Sequence, residues 1–200
     1  MRIAIYGGSF DPMGSHHIQV IKHLLKYVDQ VWVFPCYESY HEKKLTDVDH
    51  RIKMCQLAIN GLCQNKEYTG KVLVSDFQIT HKSGRTYDMI KKLHEIYPQE
   101  MFYVALGIDN ARMMHLWYCW EELIKMVPFI VVPRNGYTEE LSGDQWFIRD
   151  PHILIDENNQ NNGSSSQIRK MLKENQDVSE YLDKNVETYI RENNLYMCEQ

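Results

Sequence analysis

Short apolar runs alternate along the chain with longer amphipathic ones. The segments RIAIY (2–6), QVWVFP (30–35), KVLVSDF (71–77), MFYVALG (101–107), FIVVPR (129–134) and HILIDE (152–157) have strand length and are rich in Val, Ile and aromatic residues. Between them, residues 16–28, 49–63, 86–97 and 111–127 repeat apolar side chains at helical spacing, and residues 164–175 and 178–195 do so again near the end. The alternation predicts βαβ units. The expected fold is therefore α/β: a doubly wound parallel sheet of about five to six strands, with helices on both faces and a helical C-terminal segment. Ligands of such sheets sit at the carboxyl ends of the strands. There is no internal repeat, and the Asn/Gly/Ser-rich stretch 156–166 reads as a mobile surface loop.

Composition narrows the picture. With 200 residues and 44% hydrophobic content, one sizeable core and one domain spanning 1–200 are expected. The formal charge of −5 comes without a basic block, which argues against nucleic acid as a partner but not against a small anion. Five scattered cysteines with no C-x-x-C pair suggest neither a disulfide framework nor a zinc site. A reducing compartment fits them, and no apolar run nears membrane-spanning length. The expectation is a cytoplasmic protein, with a nuclear one left open and no membrane partner.

The chemistry concentrates in YGGSFDPMGSHH, residues 6–17, between the first strand and the first helix. Gly7 and Gly8 let a ligand approach the backbone, and Ser9 adds a hydroxyl beside free N–H groups. An ordinary strand-to-helix turn would explain the glycines equally well. The pair His16 and His17 shifts the balance toward an anion site, because two adjacent imidazoles at a helix start do not both face a core. The stretch lacks the G-K-[ST] of a Walker loop and the G-x-G-x-x-G of a dinucleotide site. Further along, SSSQIRKML offers hydroxyls and N–H groups at a helix start with Arg169 one turn inside, a ready polyphosphate site, although any one of Ser164, Ser165 and Ser166 would serve as a plain N-cap. Asp109 follows a buried-strand pattern ending in Gly107, and reads either as a hydroxyl acceptor or as an N-cap. Trp117 and Trp120 read by spacing as core residues of one amphipathic helix.

GGSFDPMGSHH resembles the G-G-[ST]-F-D-P-x-[HT]-x-G-H signature of the nucleotidyltransferases, and among them the nicotinate or nicotinamide mononucleotide adenylyltransferases. HRIKM (50–54), TYDMI (86–90), GIDNARMMHLW (107–117), VVPRNGY (131–137) and SSSQIR (164–169) are similar to the family's later motifs and follow in its order. The resemblance implies a Rossmann-like sheet and transfer of an adenylyl group from ATP to a pyridine mononucleotide. It implies ATP contacts at Gly8, Ser9, Phe10, His17, Lys43, Gly107, Asp109, Ser165, Ser166 and Arg169. It implies mononucleotide contacts at Gly7, Ser9, Arg51, Thr86, Tyr87, Trp117 and Arg134, with Trp117 stacking on the pyridine ring. Lys43 otherwise reads as a solvated loop residue, and Arg51 as a surface residue of its helix. His17 and Arg169 take the catalytic roles, and Mg²⁺ rides on the ATP phosphates, so no metal-ligand set in the protein is expected.

One departure matters. The family's H-x-G-H has become G-S-H-H: Gly14 stands where the first histidine or threonine belongs, and His16 where the glycine belongs. Either His16 or Ser15 supplies the missing contact, which adds His16 to the catalytic candidates, or the chain binds nucleotide without turnover. A sister enzyme acting on pantetheine phosphate or a polyol phosphate is the other alternative. The choice between nicotinate and nicotinamide mononucleotide stays open, as does a homo-oligomer.

Overall fold

The computed structural model describes residues 1–37, 44–81, 84–133, 145–155 and 163–197. Six strands, β1 (Arg2–Gly8), β2 (Gln30–Pro35), β3 (Val72–Val74), β4 (Met101–Gly107), β5 (Phe129–Val132) and β6 (Ile153–Leu154), form one sheet in the order β3-β2-β1-β4-β5-β6. Every neighbouring pair is parallel. The predicted α/β, Rossmann-like architecture is the observed one. The order reverses between β1 and β4, and the carboxyl ends of strands at such a reversal are where open α/β sheets hold their ligands.

Alternation along each strand divides the core in two. Ala4, Val31, Val33, Ala105 and Ile130 point to one face, where they meet Ile21 and Leu24 of α1 (Ser15–Leu24), Met54 and Ala58 of α2 (Val48–Cys63) and residues of the C-terminal helices. Ile3, Ile5, Phe102, Val104, Phe129 and Val131 point to the other, against α3 (Phe77–Thr80), α4 (Thr86–Ile96), α5 (Ile108–Arg112) and α6 (Trp120–Met126). Strands buried on both sides read as continuous apolar runs, which is how they appear in the sequence.

Two predicted helices are shorter than their apolar spacing suggests. Residues 111–127 do not form one helix: α5 ends at Arg112, a single 3₁₀ turn covers Met114–Leu116, Trp117 is extended and Cys119 is left-handed at φ 50° before α6 begins. The break lets Trp117 and Trp120 both pack at the edge of the second core. Likewise, only Lys184–Glu192 of 178–195 is helical (α8), because the Asp183 carboxylate caps it by accepting from Asn185 N–H at 2.8 Å. Val178 and Leu182 are buried from the turn before it. The remaining helix, α7 (Ser165–Lys173), follows the Asn/Gly/Ser-rich stretch, most of which (156–162) lies outside the described residues.

Candidate active site

β1 runs through Gly8, so Gly7 and Gly8 belong to the strand rather than to the turn after it. A Cβ on Gly7 meets nothing within 4 Å, leaving open space beside the backbone, whereas one on Gly8 falls 2.9 Å from Phe10 Cζ. Phe10 itself adopts φ 47° and is 2% exposed, so its side chain belongs to the first core and only its backbone is available to a ligand. The loop then passes a cis Asp11–Pro12 peptide and the buried Met13 to reach Gly14, the N-cap of α1.

The Gly14 N–H donates to His17 Nδ1 at 3.1 Å. A nitrogen that accepts cannot carry the proton, so this bond fixes the neutral ring with Nε2–H as its donor. The edge of Phe10 meets the same ring at a centroid distance of 5.0 Å, and the His16 ring lies beside it at 3.8 Å. Both imidazoles therefore lie on one side of the helix start. A Cβ added to Gly14 would stand 2.9 Å from His16 Cε1 and Nδ1 and 2.7 Å from Ile168 Cδ1, so the His16 ring fills the space beside position 14.

The three serines before α7 divide their work. Ser164 is the cap, accepting from Gln167 N–H at 3.1 Å. Ser165 Oγ donates to the Pro12 carbonyl at 2.9 Å, and Ser166 Oγ accepts from Arg169 Nη2 at 3.2 Å. Arg169 Nη1 donates to the Asp11 carbonyl at 2.7 Å. These bonds bring the N-terminus of α7, with its free backbone N–H groups, against the β1–α1 loop.

Arg51 is not at the surface. It is 1% exposed, and its guanidinium donates to the carbonyls of Thr46 (2.9 Å), Ser9 (2.9 Å) and Cys36 (2.8 Å). Its guanidinium braces the ends of β1 and β2 through these carbonyls.

Gly107 caps α5, and a Cβ there meets nothing within 4 Å; Asp109 lies in the helix's first turn, so the N-cap reading of Asp109 does not hold. Thr86 and Tyr87 begin α4, with Tyr87 packed edge-on to Tyr118 at 5.9 Å and Arg85 over the Tyr118 ring at 4.1 Å. Trp117 is half-buried against the second core. Lys43 and Arg134 lie outside the described residues. Among the described residues no group of three or more His, Cys, Asp or Glu side chains is placed to hold a metal, no helix is long and apolar enough to cross a membrane, and Cys36, Cys55, Cys63 and Cys119 are free thiols.

Three residues with no assigned part in the sequence reading converge on the loop. Asp11, 4% exposed, accepts from Tyr196 O–H at 2.5 Å and from Thr46 N–H at 3.3 Å. Asp11 was legible as part of the signature. Thr46 donates its backbone N–H to Asp11 while its side chain bonds to Tyr196, and neither Thr46 nor Tyr196 lies in any of the motifs, so no local pattern marks either.

A cytidylyltransferase-like family model matches residues 5–171. A protein of Fusobacterium nucleatum named as a probable nicotinate-nucleotide adenylyltransferase is 34% identical over 95% of this chain and 97% of its own length. One of the same name from Oceanobacillus iheyensis is 31% identical over 97% and 96%. The structure of Plasmodium falciparum nicotinic acid mononucleotide adenylyltransferase complexed with NaAD superposes with a TM-score of 0.79 at 29% identity, covering 98% of this chain and 97% of that one. The chain thus belongs to the cytidylyltransferase-like family and, within it, to the nicotinate-nucleotide adenylyltransferases.

Proposed function

We propose that this protein transfers the adenylyl group of ATP, taken as its Mg²⁺ complex, to nicotinate mononucleotide, giving deamido-NAD and pyrophosphate. The observation that carries the reading is the Gly14 N–H bond to His17 Nδ1, which fixes an Nε2–H donor on a loop that Arg169 and Ser165 tie to the N-terminus of α7. The preference for nicotinate over nicotinamide mononucleotide rests on the relatives' names.

The acceptor's phosphate is ionised at neutral pH, so one of its oxygens attacks the α-phosphorus without a general base. The P–O bond to the β-phosphate breaks, and pyrophosphate leaves with the electron pair. Catalysis is then alignment and charge stabilisation. His17 donates to an α-phosphate oxygen as charge builds there, with the His16 imidazole beside it in the space that Gly14 leaves. Ser166, Arg169 and the first N–H groups of α7 hold the departing pyrophosphate, and Ser165 ties that helix end to Pro12. Gly8, Ser9 and Phe10 meet ATP through backbone groups, and Asp109 beside Gly107 accepts from the adenosine side. Gly7, Thr86, Tyr87 and Trp117 line the mononucleotide side. Lys43 and Arg134 take their phosphate and mononucleotide roles from the resemblance alone, and Arg51 positions the loop rather than touching substrate. The setting is cytoplasmic, with small-molecule substrates.

Incubation of the protein with ATP, Mg²⁺ and either pyridine mononucleotide or pantetheine phosphate tests this. Pyrophosphate release with a dinucleotide product is expected, with kcat/KM highest for nicotinate mononucleotide. Clear ATP binding with no pyrophosphate from any acceptor overturns it in favour of a non-catalytic nucleotide binder.

A further inference from the structure

The segment after α8 returns to the site. Its turn has Asn194 and Tyr196 left-handed, at φ 52° and 61°, and it carries the Tyr196 phenol to Asp11 Oδ1 at 2.5 Å, with Met54 Sδ 3.8 Å away. The other Asp11 oxygen accepts from Thr46 N–H, and the Asp11 main-chain carbonyl accepts from Arg169. Just before α8, the Tyr181 carbonyl accepts from Ser15 N–H at 2.8 Å. The stretch from Asp11 to Ser15 is thus held at both ends by residues from the last twenty positions of the chain. It is the same stretch whose Gly14 N–H orients His17.

We infer that Tyr196 is a positioning residue for the reaction: by holding the Asp11 carboxylate, it sets the loop conformation that aims His17 and keeps Arg169 against it. This rests on the proposed adenylyl transfer. A carboxylate buried to 4% exposure needs hydrogen-bond donors, and among the described residues the phenol is one of the two that donate to it. Burial first, then the bond to Asp11 and its negative charge, push the Tyr196 pKa well above the ordinary phenol value, so the hydroxyl stays a donor at any physiological pH.

Tyr196→Phe keeps the ring and removes only the donor. Measured well below its melting temperature, this variant is expected to lose about tenfold in kcat, the scale of one hydrogen bond to a charged group, with the KM values for ATP and mononucleotide nearly unchanged. A purely structural role predicts a lower melting temperature with wild-type kcat, and that result overturns the inference. In an Asp11→Ala background, which removes the acceptor, the hydroxyl's removal should cost little more, because its route to the site is already broken; two full, independent losses would also count against it. If Tyr196→Phe does not fold, a chain ending at Asn194 takes its place, and wild-type kcat in that chain overturns the inference. If the wild-type protein makes no dinucleotide, the proposed function has failed separately. Amide exchange at Gly14 then decides this point without any turnover: faster exchange in Tyr196→Phe supports the latch, and unchanged exchange removes it.

Discussion

Gly14 adopts φ −105° and ψ 177°, a backbone conformation open to any amino acid, so what bars a side chain there is space and not strain. The occupants are His16 and Ile168, each within 3 Å of where a Cβ would stand. The G-S-H-H departure then reads as an exchange, in which an imidazole moves from position 14 to position 16 and its volume stays beside the loop. Gly14→His alone should destabilise the protein and slow it, whereas Gly14→His with His16→Gly, which restores the family's order, should recover both stability and rate. If the double variant is no better than the single one, the exchange reading fails. His17→Ala should lower kcat about a hundredfold or more, the scale of one oriented donor at a developing charge, while ATP binding by titration stays close to wild type. Wild-type turnover without His17 would remove the centre of the proposed chemistry. The sequence showed both histidines but not the Gly14 N–H bond that selects the His17 tautomer. That bond depends on the turn's three-dimensional path, which residue types alone do not state.

Elements were legible to the extent that their signal was local. The four inner strands announced themselves because strands covered on both faces are apolar runs rich in Val, Ile and Phe, while the edge strands β3 and β6 were marked only by short runs of the same residues. The helix predicted over 111–127 broke because apolar spacing says which residues are buried and not whether the backbone between them stays helical; the extended Trp117 and left-handed Cys119 bury the same side chains by another path. At the far edge of the sheet, His152 accepts from Phe129 N–H through Nδ1 at 3.2 Å and couples β5 to the segment entering β6. Burial lowers its pKa below the ordinary 6.5. The unfolded chain therefore takes up a proton before the folded one does, so the stability present above about pH 6.5 is lost as pH falls toward the lowered folded value. His152→Gln keeps an acceptor and does not titrate. Its melting temperature should fall less than the wild type's between pH 7 and pH 5, and parallel profiles would show that His152 carries no such linkage.

At the scale of the whole molecule, the two sides of the sheet carry different halves of the proposed site. The first core holds Phe10, Met13 and Ile168, and with them the β1–α1 loop and α7; the second holds Ile108, Ala111 and Met114, with Tyr87 and Trp117 packed against it. On the proposed reading, phosphate chemistry rests on one core and recognition of the base on the other, with Gly107 and Asp109 where the sheet order reverses. Equal damage to the two cores should have unequal consequences. Ile190 on α8 and Leu93 on α4 are each fully buried, and truncation of either to alanine should cost about 2–5 kcal/mol of stability. Assayed at a temperature where both variants are folded, Ile190→Ala should lower kcat with the mononucleotide KM little changed, because α8 leads into the Tyr196 contact with the loop. Leu93→Ala should raise the mononucleotide KM with kcat little changed, because α4 begins with Thr86 and Tyr87. The discriminating quantity is the ratio of the two kinetic changes at matched loss of melting temperature. If both variants shift kcat and KM in the same proportion, the cores do not divide the site and the loop's geometry depends on the molecule as one packed unit.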